Sequence, residues 1–79
     1  MTSFEQLKKL LAEHDDACKN RDCAWNRYNQ AVDDNASREV IESLYIAAKD
    51  AEFVASEKWA VVESAKADYL VGIGFLAHV

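Results

Sequence analysis

No proline occurs in this sequence, and its two glycines, Gly72 and Gly74, stand close together near one end. Everything before Gly72 therefore lacks both of the residues that most strongly interrupt a helix. All-β folds need Gly- and Pro-rich turns, so this chain is excluded from them, and from collagen-like and low-complexity classes. Half of its residues (51%) are hydrophobic, which separates it from a disordered tail. The fold class predicted is all-α.

Apolar periodicity divides the chain in two. Ser3 followed by Gln6 fits a capping box that opens a helix. From there a 3/4 repeat runs through Phe4, Leu7, Leu11, His14, Cys18, Arg21, Trp25, Tyr28 and Val32, flanked at sevenfold spacing by Leu10, Ala17, Ala24 and Ala31. This is one narrow stripe. Asp33 and Asp34 oppose the helix dipole, and Asn35 and Ser37 are good N-caps, so a turn is expected there. A single long bent helix is the alternative.

The second segment has a much wider apolar arc. One row is Val40, Leu44, Ala47, Ala51, Val54, Val61 and Ala65; another is Ile41, Tyr45, Ala48, Ala55, Trp59, Val62, Tyr69 and Ile73. Gly72 suits the left-handed position that closes a helix. The predicted organisation is one domain over 1–79: helix about 3–33, turn about 34–37, helix about 38–71 and an apolar tail over 72–79. The tail either caps the bundle's open end or adds a strand to a partner's sheet.

Folding about the turn makes an antiparallel helical hairpin of two long helices. It sets Leu11 opposite Trp59, Trp25 opposite Tyr45, and Arg21 near Asp50 or Glu52. Large residues then meet large ones. At 79 residues a chain buries only about 60–65% of its unfolded surface, and one contact layer between two helices is thin. The wide arc of the second helix calls for further cover, which pairing into a dimeric four-helix bundle supplies. The self-association residues expected are Leu11, Trp25, Tyr45, Trp59, Val62 and Tyr69.

Charge narrows the possible partners. Fourteen acids against nine bases give a net charge of −5, and the bases are scattered among acids. Direct nucleic-acid binding and a basic membrane-surface helix are both disfavoured. The first fifteen residues carry acids and lack a continuous apolar core, so no secretory signal is expected. Two cysteines, Cys18 and Cys23, lie about 140° apart on a helix and cannot bridge within it. A cytoplasmic location is the expectation.

Few residues suggest chemistry. His14 and Cys18 stand four apart on one face, but no further ligand follows at a metal-binding interval, and no metal or cofactor is expected. His14 and Arg21 are polar positions on the first stripe, where such residues set register more often than they bind ligands. No nucleophile elbow, phosphate loop or zinc-protease helix occurs, so the chain reads as a non-enzyme.

The outer side of the second helix carries Glu39, Glu42, Ile46, Asp50, Phe53, Glu57 and Asp68 over about 43 Å. Ile46 and Phe53 stand among acids. The stripe reads as a docking surface anchored by Phe53, with the acids selecting a basic protein partner. The function expected is a small acidic protein-binding module that inhibits or regulates a larger assembly. Phage and mobile-element accessory proteins, including inhibitors of host defence complexes, are of this type. The alternatives are a structural oligomer or assembly subunit, and a nucleic-acid mimic occupying a basic channel. Lys49, Lys58 and Lys66 interrupt the acid rows and weaken the mimic.

Overall fold

The computed structural model describes residues 2–74, which form two helices and no strand. The first helix, α1, spans Phe4–Asp33. Its capping box is formed as expected: Ser3 Oγ accepts the Gln6 N–H at 3.1 Å, and Gln6 Oε1 accepts the Ser3 N–H at 2.9 Å.

The turn closes differently from the expectation. Asn35 takes a left-handed conformation with φ of +55° instead of capping the next helix. Its N–H donates to the Val32 carbonyl at 3.1 Å, and the Ala36 N–H donates to the Ala31 carbonyl at 2.9 Å. That pair of bonds is a Schellman closure of α1, and asparagine tolerates the conformation better than most side chains. Gln30 Nε2 donates to both carboxylate oxygens of Asp34 at 3.1 Å, an interaction that helps to hold an acid at an unfavourable helix end. Ser37 alone caps the second helix, accepting the Val40 N–H at 3.3 Å.

That helix, α2, spans Arg38–Gly72. Gly72 is still helical, and the left-handed residue is Gly74, with φ of +78° and its N–H on the Val71 carbonyl. Both glycines are open to the left-handed region, so sequence could not choose between them. The expected apolar tail lies from residue 75 onward outside the described residues.

The two helices pack antiparallel into a slab of about 56 × 22 × 14 Å. Trp25 faces Tyr45 with ring centroids 5.9 Å apart, as the antiparallel register requires. Lys58 Nζ approaches Glu13 Oε2 at 3.7 Å, and the Thr2 N–H donates to Asp68. Facing residues along the pair thus have numbers adding to about 71.

The seam itself is built from small residues. Leu7, Ala17 and Ala31 of α1 are buried against Ala48, Ala55, Val62 and Ala65 of α2, with Ala48 wholly inaccessible. Ala48, Ala55 and Val62 repeat every seven residues, and so do Ala17, Ala24 and Ala31, the spacing that keeps one face of each helix on its neighbour. The expected meeting of large residues across the centre is therefore corrected. Alanines let the backbones approach, which pushes Leu11, Val40, Tyr45, Val54, Trp59 and Val61 to the flanks, where they stay about half exposed.

Candidate functional site

One broad side of the hairpin is aromatic. Phe4 lies 6.0 Å from Tyr69, and His14 lies 5.0 Å from Trp59. Trp25, Tyr28 and Tyr45 form a triangle with separations of 5.5 to 5.9 Å, two of its contacts edge-on. Trp25 also donates its indole N–H to Glu52 at 2.8 Å, linking the helices through a polar contact that the periodicity did not reveal.

Among the residues expected to mediate self-association, Trp25, Tyr45, Trp59 and Tyr69 fall on this side. Leu11 joins them, standing seven residues from both Phe4 and Cys18 on α1. Val62 does not. It is 1% exposed in the hairpin's own seam and has no surface to offer another molecule. Trp59 stands over His14, one turn along from the expected Leu11.

A shallow groove runs along the centre of this side between His14, Arg21, Trp25, Glu52 and Trp59. Arg21 was expected to pair with an acid of α2. Its Nε instead donates to Asp22 at 3.1 Å, a neighbour on its own helix. That hydrogen bond and the Asp22 charge raise its pKa above its ordinary value, with Glu52 a smaller contributor. Glu52 is held by Trp25 and by Lys49, whose Nζ lies at 3.3 Å.

The outer edge of α2 carries the expected docking residues unevenly. Ile46 is 60% exposed and Phe53 is 65% exposed, and Glu39, Asp50 and Glu57 flank them in the open. Glu42 sits toward the aromatic side and receives Arg38 Nε at 2.8 Å. Asp68 departs from the stripe. It accepts the Thr2 backbone N–H and so ties the N-terminal end of α1 to α2. That hydrogen bond holds the Asp68 carboxyl below the ordinary carboxylate range.

The side opposite the aromatic one shows an aliphatic row, part of the wide apolar arc of α2. Val40, Val54 and Val61 are each nearly half exposed there, beside a polar flank of α1 that includes Glu13, Asp16 and Asn20. The spacing of these valines in multiples of seven was visible in sequence. Their exposure was not, because it follows from how closely the alanines bring the helices together.

His14 Nε2 and Cys18 Sγ are 3.4 Å apart, so the two do meet on one face. No cluster of three possible metal ligands exists among the described residues. No described helix is long and apolar enough to cross a membrane. Comparison with known proteins finds no matching family model, no matching curated relative and no matching solved structure.

Proposed function

We propose that this chain is a small acidic, non-enzymatic protein-binding module that inhibits or regulates a larger macromolecular assembly, in the manner of phage or mobile-element accessory proteins. Its working surface is the outer edge of α2. The observation that carries this reading is the pairing of Ile46 and Phe53, the two most exposed large hydrophobic residues among those described, two helical turns apart and bracketed by Glu39, Asp50 and Glu57. Apolar anchors with an acidic rim suit a partner with an apolar cleft in a basic surface. The hairpin pairs with a second copy into a four-helix bundle that presents this edge. The non-enzymatic reading rests on a sequence without a catalytic motif.

The test is retention of partners from lysate of the source cells by immobilised protein, comparing the natural sequence with Phe53→Ala. A partner held by the natural chain and lost by Phe53→Ala supports the reading. A partner that is indifferent to Phe53→Ala but released by amide replacement of Glu39, Asp50 and Glu57 supports nucleic-acid mimicry. Recovery of nothing beyond the chain itself supports the second reading, a structural oligomer, which the half-exposed aromatic side favours.

A further inference from the structure

We infer that the aromatic side is covered by a second copy of this chain, with both turns at the same end and α1 of each copy lying over α2 of the other. This rests on the dimeric bundle proposed above and assigns its interface and orientation.

Area comes first. The slab is about 56 Å long and 22 Å across its broad dimension, room enough for the about 800 Å² per partner that a stable interface buries. The aromatic side is furnished with half-exposed Trp59 and Tyr45, side chains that dominate binding energy when covered.

Charge then selects the occupant. Lys8 and Asp22 stand on the α1 rim of this side, each seven residues from Asp15 and on either side of it; Lys8 lies over the Phe4 ring and Asp22 against Arg21. Lys49 and Glu63 stand fourteen residues apart on the α2 rim. In the register of the hairpin, Lys8 is level with Glu63, and Asp22 is level with Lys49. A two-fold axis along the hairpin preserves level while exchanging helices. It sets Lys8 beside the partner's Glu63, Asp22 beside the partner's Lys49, and Arg21 over the partner's Glu52. Each contact occurs twice and each joins opposite charges.

The alternative stacking, with turns at opposite ends, lays α1 on α1 about its midpoint near Cys18. That places Asp15 beside the partner's Asp22, a like-charge contact. One surface carrying both halves of every pair at matched levels is complementary to itself. In the arrangement inferred, the Phe53 edges lie on opposite flanks of the bundle, while Ile46 borders the covered side through the hollow it shares with Tyr28 and Tyr45.

Thiol labelling of the natural protein tests the interface, with mass measured by sedimentation equilibrium. Cys18 is part-buried on the aromatic side, whereas Cys23 is exposed elsewhere on α1 and serves as the internal reference. The expected result is a dimer in which alkylation of Cys18 slows about tenfold between dilute and concentrated protein, with Cys23 unchanged. Asp22→Lys and Lys49→Asp should each weaken the dimer about tenfold, and their equimolar mixture should regain it, with helicity checked by circular dichroism. A monomer at every concentration overturns the dimer itself. A dimer with Cys18 unprotected overturns only the interface assigned here. Protection of Cys18 without recovery in the mixture overturns the orientation.

Discussion

Trp25 donates its indole N–H to the Glu52 carboxylate across the hairpin, 2.8 Å away, at the edge of a seam built mostly from alanines. The bond joins residues 27 apart in sequence and is partly buried, so it fixes how far one helix slides along the other. Trp25→Phe keeps most of the ring against Tyr28 and Tyr45 while removing the donor. The expected loss is about 1 kcal/mol, read from the denaturation midpoint at unchanged slope. Glu52→Gln keeps an acceptor and should lose less.

Ala48 is wholly inaccessible at the centre of the seam. Ala48→Leu forces three additional carbon atoms between the backbones and should destabilise the hairpin by about 1–3 kcal/mol. Ala67→Leu, on an exposed position of the same helix, should change stability by less than about 0.5 kcal/mol. Thermal unfolding of both variants side by side separates overpacking from a general effect of added hydrophobicity.

Asn35 holds the turn in a left-handed conformation. Asn35→Gly should be neutral or slightly stabilising, because glycine enters that region without a Cβ penalty. Asn35→Val should cost about 1–2 kcal/mol. If the valine variant were as stable as the natural chain, the Schellman closure would not be what sets the turn.

Asp68 supplies an acid-sensitive contact. Its carboxyl titrates lower in the folded chain than in the unfolded one, so the contribution is fully present above the ordinary carboxylate range. It is lost as pH falls through the depressed folded value. Asp68→Asn should remove this part of the acid dependence, and amide exchange in the first turn of α1 should quicken at neutral pH. An identical acid transition in the variant would exclude Asp68 as a source.

Much of this architecture was legible in the chain because local rules and the fold agree. Ser3 and Gln6 formed the capping box that their spacing announced, and the wide apolar arc of α2 announced surplus hydrophobic surface. Trp25 met Tyr45 because a hairpin turning near Asn35 permits little else. What escaped was set by interhelical distance, which periodicity does not encode. Nothing in the pattern said that Ala48 and Ala55 would win the centre over Leu11 and Trp59. Arg21 illustrates the same limit for charge. An acid one residue away outcompeted acids on the other helix, because the guanidinium reaches Asp22 without leaving solvent.

The left-handed turn at Asn35 also sets an order of assembly. Trp25 and Glu52 close a span of 27 residues, whereas Thr2 and Asp68 close one of 66, at an extra chain-entropy cost of about 0.8 kcal/mol. Helix pairing is therefore expected to zip outward from the turn, with the contacts at the open end forming last. The same gradient governs unfolding. Brief native-state openings begin at the Thr2–Asp68 end and spread toward Trp25, so amide protection should fall steadily with distance from Asn35.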